Sequence, residues 1–372
     1  MSSTTLQLVN SDLLVRESAA PFRLGYRPAL DGLRGIAILA VLAFHTHHIF
    51  NWSILNGGNV GVDIFFVLSG FLITVLLIEE WQGNGRISLK GFYWRRVLRL
   101  VPALVILLVI LYLFANVFLS ATEAADTRRG IPIAFFYASD FALAFLQLRL
   151  GALQHTWSLA IEEHFYLVWP LFLVAALKLG ASRKQLVVIT LTLAVASAVY
   201  RAVLHQLGAL PVRTYYGIDT RADALLIGCA TGMCMCWGFF RARSFRLWVV
   251  PAVLSIITMM FATSYATPFM HLGGFTLLAM ASAAVIVWVM LAPTSYLRRF
   301  LEFGPLVWVG RISYGLYLWH YPIFKGGSLL RVGWPLQLLI ALTATFAVTS
   351  LSYYLIERPT LRLKVRRLVT LT

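Results

Sequence analysis

The stretch "LDGLRGIAILAVLAFHTHHIF", Leu30–Phe50, decides the fold. It is apolar over the roughly 20 residues that a membrane-spanning helix needs. Yet it carries Arg34 near its start and His45, His47 and His48 near its end. Arg34 and His45 are eleven positions apart. At 100° per residue that separation returns to within about 20° of one helix face, with a rise of about 16 Å. One face therefore carries a cation near one membrane surface and an imidazole in the opposite half. Ionisable side chains inside a span are costly and point to function by default. The structural alternatives are a snorkelling anchor for Arg34 and an interfacial histidine for His45. His47 and His48 lie closer to the surface and read as interfacial. "HTHH" has no spaced carboxylate or second cluster, so no metal site is expected.

The rest of the chain fits the same solvent. Of 372 residues, 60% are hydrophobic and only 12% charged, against about a quarter charged in soluble domains. The mean hydropathy is +0.80. A net charge of +16 could suggest nucleic acid, but the Lys and Arg residues sit in short clusters between apolar runs, as topology signals do. No nucleic-acid partner is expected. Cys229, Cys234 and Cys236 share one apolar run and read as packing residues. Residues 1–29 are polar and basic, with Arg16, Arg23 and Arg27, and lack a cleavage pattern, so the first helix reads as a permanent span.

The expected fold is an all-α polytopic membrane helix bundle of about ten transmembrane helices. The candidate spans are 33–50, 59–79, 97–119, 156–178, 186–206, 221–238, 247–265, 271–291, 305–325 and 334–356. With both termini cytoplasmic, one side collects Arg16, Arg86, Lys90, Arg95, Arg96, Lys178, Arg183, Lys184, Arg241, Arg246, Arg298, Arg299 and the tail Arg362, Lys364, Arg366 and Arg367. The other keeps few, such as Arg128, Arg129, Arg149, Arg213 and Arg331. That asymmetry follows the positive-inside rule. Segment 131–148 is interrupted by Asp140 and reads as re-entrant or superficial, since an eleventh span would invert every later loop. Residues 1–29 form a cytoplasmic segment, 30–358 one membrane domain and 359–372 a basic tail, with no repeat to suggest an inverted-repeat carrier. The chemistry is expected inside the bundle.

Further ionisable residues cluster in spans. Asp63, in "GVDIFFVLSGFLIT" (60–74), lies on the His45 side, where a carboxylate could hold the imidazole tautomer or simply favour a helix N-terminus. In "FYWRRVLRLVPAL" (92–104), Arg95, Arg96 and Arg99 run into an apolar helix, Arg95 and Arg99 sharing a face. Guanidinium forks grip phosphates, although a topology cluster would look similar. "HTWSLAIEEHFYLVWP" (155–170) sets Glu162, Glu163 and His164 inside a span. Adjacent carboxylates point about 100° apart, so both cannot idle against lipid. They face a structural ion pair or a substrate. "GRISYGLYLWHYPI" (310–323) brings His320 to the outer side, and "YYGIDTRADALLIG" (215–228) adds Asp219, Arg221 and Asp223. No P-loop, dinucleotide fingerprint, GxSxG or HExxH is present.

Taken in order, these segments, beginning with "RPALDGLRGIAILAVLAFH" and ending with "ISYGLYLWHYPI", resemble the acyltransferase-3 family of integral-membrane O-acyltransferases over nearly the whole chain. The resemblance implies transfer of an acyl group, acetyl foremost, from acyl-coenzyme A to a hydroxyl of a carbohydrate or glycosylated acceptor, in the bacterial inner membrane and with no metal. It maps the family's R-x10-H onto Arg34 and His45 and RRxxR onto Arg95, Arg96 and Arg99 at the donor. It maps WSLxxEExFY onto Trp157, Ser158, Glu162, Glu163 and Tyr166 at the substrate, with His164 where many relatives have Gln. The hydrolase-like domain fused to some members is not expected here. His45, oriented by Asp63, is then the general base or the acyl carrier, with His320 shaping the acceptor side. A lipopolysaccharide sugar, an exported polysaccharide, a signalling oligosaccharide and a macrolide sugar are all open acceptors. The competing reading from the residues alone is a proton-coupled transporter of a glycan or small molecule, since buried His, Asp and Glu also make proton relays.

Overall fold

A computed structural model of the chain describes residues 22–50 and 55–360. Most of the N-terminal segment and nearly all of the basic tail, including Arg16, Arg362, Lys364, Arg366 and Arg367, lie outside the described residues. The described chain is helical. Its long elements are α1 (Pro28–Phe50), α2 (Val60–Asn84) and α3 (Leu89–Phe118), followed by short α4 (Ala121–Phe135) and α5 (Ser139–Ala144). A 3₁₀ turn (Gly151–Thr156) leads into α6 (Trp157–Lys178), then α7 (Arg183–Gln206), short α8 (Pro211–Tyr216) and α9 (Ile218–Cys236). After α10 (Ala242–Phe245) come α11 (Val249–Ala262), a π turn (Met270–Gly274) and α12 (Phe275–Leu291). The chain closes with α13 (Tyr296–Leu301), α14 (Gly304–Arg311), α15 (Ser313–Gly327), α16 (Trp334–Ser352) and a final π turn (Tyr353–Glu357).

Among the described residues, seven helices are long and apolar enough to cross a membrane: α1, α2, α3, α6, α7, α12 and α16, three of them counted with an adjoining turn. The expected count of ten is therefore not reproduced by length and apolarity. The other three expected segments are helical but fall short for separate reasons. The start of α9 carries Asp219, Arg221 and Asp223. The α11 helix has only 14 residues. The 305–325 segment breaks at Ile312 into α14 and α15. Segment 131–148 is not a continuous helix, because α4 ends after Pro132 and the backbone turns through left-handed Tyr137 and Gln147 on either side of α5.

The centre of the bundle is the pair α2 and α9, flanked by α1, α7 and α12. Small residues let these backbones touch. A Cβ added at Gly70 would sit 2.0 Å from the Leu225 carbonyl oxygen, and one at Gly228 2.2 Å from that of Val67. Glycine is required at both positions by the close approach, as at many helix contacts in membranes. By contrast α3, α7 and α16 turn large apolar side chains outward, such as Tyr112, Leu113, Val195, Leu339 and Leu351. In water that surface would be a liability; in a bilayer it meets lipid. The protein is an integral membrane protein. Gly70→Ala is expected to cost about 1–3 kcal/mol through overpacking, seen as a lower midpoint of thermal unfolding in detergent. An unchanged midpoint would mean that α2 and α9 have room to spare.

Candidate active site

The two ends of α1 open into two different cavities. At the Arg34 end, α1, α2, α3, α6 and α15 enclose a cavity of about 140 Å³. Arg34, Arg96 and Arg99 line it with Ser69, Ser158, Glu162, Tyr166, Ser313 and Tyr317. The groups hold one another in place. Arg34 Nη2 donates to Ser313 Oγ at 3.0 Å. The Arg96 guanidinium lies 4.3 Å from the centre of the Tyr166 ring. The Ser69 hydroxyl donates to Glu162 Oε1 at 2.8 Å, and the Tyr166 hydroxyl to Oε2 at 3.4 Å. Three guanidiniums thus share one small space with one carboxylate, an excess of positive charge suited to an anion.

Arg95 does not join them. Its Nη2 lies 3.5 Å from Glu80 Oε2 on α2. The cavity face of α3 instead carries Arg96 and Arg99, an i,i+3 pair, while Arg95, about 100° round the helix from Arg96, meets Glu80. Glu163 likewise lines neither cavity, being about 100° round α6 from Glu162. His164 lies 3.3 Å from Asp140 of α5, away from both cavities. The Glu162/Glu163 pair thus divides its two directions between the cavity and the protein interior.

At the His45 end is a second cavity, of about 220 Å³, lined by His45, His48, His155, Trp157, Tyr215, Tyr216, Tyr265, Tyr321 and Lys325. His48, read from sequence as interfacial, lines this cavity, while His47 does not. Aromatic faces with a few polar groups make a wall suited to the flat apolar faces and hydroxyl rims of sugars. A further polar cavity of about 390 Å³, with Glu123, Asp126, Gln147 and Arg149, adjoins it at Gln154 and Tyr216. Lys325 Nζ, on one side of that junction, pairs with Glu123 on the other at 2.8 Å.

Carbonyl oxygens fix the protonation pattern of the central imidazoles. His320 Nδ1 lies 2.9 Å from the Leu316 carbonyl oxygen, which can only accept, so Nδ1 carries the proton. In the neutral ring Nε2 is then an acceptor, 3.1 Å from His45 Nδ1. That nitrogen also faces the Val41 carbonyl oxygen at 3.0 Å. His45 Nδ1 therefore donates, and Nε2 of His45 is left with a free lone pair. This is the tautomer a base or nucleophile needs, set by a neighbouring histidine.

Asp63 was expected in that orienting role and does not fill it. It is fully buried and bonded to Arg221 Nη2 at 2.5 Å. Its alternative partner was hidden in sequence because Arg221 lies 158 positions away. Arg221 also stacks 3.7 Å from the Phe275 ring centre. Next to it Arg201 pairs with Asp223 at 2.9 Å and donates to Thr276 and to the Thr220 carbonyl, each at 2.7 Å. Sequence reasoning also passed over His155 and Tyr317. Both stood within quoted segments, at the edges of the tryptophan–serine and histidine features, but nothing in their spacing marked them.

Comparison with known proteins agrees with the residues. The family model described as an acyltransferase domain, that of the acyltransferase-3 family, matches residues 27–357. The chain is 38% identical to the peptidoglycan O-acetyltransferase OatA of Listeria monocytogenes over 354 residues, covering 90% of this chain and 56% of that protein. It is 36% identical to the putative peptidoglycan O-acetyltransferase YrhL of Bacillus subtilis over 358 residues, covering 90% of this chain and 55% of that one. It is 32% identical to the O-acetyltransferase OatA of Staphylococcus aureus over 354 residues, with 90% and 57% covered. The chain thus spans a little over half the length of these relatives. No solved structure matches.

Removing one partner of a buried ion pair leaves the other charge uncompensated. Asp63→Asn is expected to destabilise the protein by about 3–5 kcal/mol, and Asp63→Leu combined with Arg221→Met to regain most of that loss. Thermal unfolding in detergent reads both. A midpoint unmoved by Asp63→Asn would show that the Asp63–Arg221 pair does not hold the fold.

Proposed function

Because the chain belongs to the acyltransferase-3 family, we propose that it is a membrane O-acyltransferase that moves an acyl group, acetyl first among the choices, from acyl-coenzyme A to a carbohydrate hydroxyl. The observation that carries this reading is the arrangement along α1: a cavity of three guanidiniums at one end, and at the other a histidine whose Nε2 is free. Arg34, Arg96 and Arg99 take the phosphates of the donor. The pantetheine arm then runs beside α1, whose rise between Arg34 and His45 is about 16 Å. The arginine end faces the cytoplasm, where the clusters around Arg86, Lys90, Lys178 and Arg183 fall. The acceptor comes to the aromatic cavity from the other side.

The reaction then follows from the tautomer. His45 Nε2 takes the proton of the acceptor hydroxyl as the oxygen attacks the thioester carbonyl. A carbon–oxygen bond forms, the carbon–sulfur bond breaks, and the thiolate leaves with the proton returned from His45. His320 holds Nδ1–H of His45 throughout. The names of the Listeria and Bacillus relatives specify peptidoglycan, so a cell-wall glycan is the first acceptor to test; the aromatic lining of Trp157, Tyr215 and Tyr216 suits a sugar ring.

Transfer is measured with acetyl-coenzyme A and glycan fragments, the product mass giving the acyl group and its carrier together. His45→Ala is expected to abolish transfer in protein that remains folded in the membrane, and wild-type rates there would sink the proposal. The arginines separate by geometry: Arg96→Ala and Arg99→Ala are each expected to raise the KM for donor about tenfold, matching the loss of one charge-assisted contact. Arg95→Ala is expected to leave it within about threefold, since a part-exposed pair of this kind is worth little. Equal effects at all three positions would remove the assignment of the cavity to the donor.

A further inference from the structure

The arginine and histidine cavities are divided by a single layer of side chains. Val62 and Tyr317 line both of them. The Tyr317 hydroxyl donates to the His155 carbonyl oxygen at 2.6 Å. Having only one proton, it accepts in turn from the Ser158 hydroxyl, also at 2.6 Å. Ser158 lines the arginine cavity and His155 the histidine cavity. Both partners lie where the 3₁₀ turn leads into α6, so the phenol is pinned by two hydrogen bonds at the point where the cavities adjoin, and Tyr317 is only 6% exposed. Val62 can fill space there but has no group with which to be held.

We infer that Tyr317 is a latched barrier between the two cavities, and that the acyl end of the donor must displace it to reach His45. Two requirements meet at this point. Cavities at opposite ends of α1 would, if joined, make a water-filled hole through the membrane. A thioester held beside His45 in that water would be open to base-assisted hydrolysis before an acceptor arrived. A side chain held by two hydrogen bonds meets both needs, because rotation about its own torsions opens the way without moving a helix. Tyr317 is a positioning residue in this scheme: it decides when donor and base meet and takes no part in the bond changes. The donor half of the inference rests on the acyl-transfer reading; the sealing half does not.

The test uses the full chain reconstituted in vesicles of phosphatidylethanolamine and phosphatidylglycerol. Two readouts are taken on wild type, Tyr317→Phe, Tyr317→Ala and Ser158→Ala: proton leak with no donor present, and acetyl-coenzyme A hydrolysis with no acceptor present. Loss of the latch bonds in Tyr317→Phe is expected to raise the open fraction, and with it acceptor-independent hydrolysis, about tenfold. Ser158→Ala removes one bond and should fall between Tyr317→Phe and wild type. Tyr317→Ala removes the plug as well and should show the largest leak. Should Tyr317→Ala fail to assemble, Tyr317→Phe carries the test, since it keeps the ring. Monodisperse Tyr317→Phe with both leak and hydrolysis at wild-type values overturns the barrier. Raised leak with no hydrolysis by any protein, wild type included, supports the barrier and removes the donor assignment instead.

Discussion

A charge inside a bilayer must have a partner, and this bundle is organised around two such pairs. Asp63 of α2 meets Arg221 of α9, and Arg201 of α7 meets Asp223 of α9. All four side chains are fully buried. Replacing these pairs with apolar residues of similar shape could be neutral or even stabilising, so their value lies less in net energy than in register. Each pair can form at only one relative position of its helices. Arg201 also grips Thr276 and the carbonyls of Thr220 and His271, so α7, α9 and the start of α12 lock together. The glycine contacts of α2 and α9 then set their separation, and α1 docks on α2 with its arginine and histidine on a fixed face.

On that frame the candidate site sets a histidine, His320, beside the His45 imidazole. The usual orienting partner of a catalytic imidazole is an ionised acid. Here the nearest acid on α2 is already committed to Arg221, and the orienting group is the Nε2 of His320. A neutral partner of this kind costs less to bury in hydrocarbon than a second carboxylate. The protonation pattern is set from outside the pair by the carbonyls of Leu316 and Val41, each four residues before the imidazole it faces. Helix geometry alone therefore sets which ring nitrogen of each imidazole faces a carbonyl.

Much of this was legible in the sequence. Apolar runs identified a membrane helix bundle, and the run that opens with Arg34 and closes with His45 forms the helix whose two ends line the two cavities. Arg96, Arg99, Ser158, Glu162 and Tyr166 also fall together as their segments suggested. The span count was less legible, because charge in α9, brevity in α11 and the break at Ile312 blur the distinction between a membrane-crossing helix and a buried one. Arg95 and Glu163 were misplaced for a related reason. Each adjoins a residue that lines the cavity, and a helix turns neighbours about 100° apart.

The sequence by itself determined the solvent, the helical class, the family and the eleven-residue separation of cation and imidazole. These follow from local properties: apolar length, periodicity and the order of short segments. Only the tertiary structure decided the partners. Asp63 bonds to a residue 158 positions away, His45 to one 275 away, and Ser158 to one 159 away. Each choice depends on which helices lie side by side and at what depth. The physical reason is that a buried polar group takes whatever partner is within about 3 Å, and in a bundle that distance is set by packing between helices, which the spacing of residues along one helix does not contain.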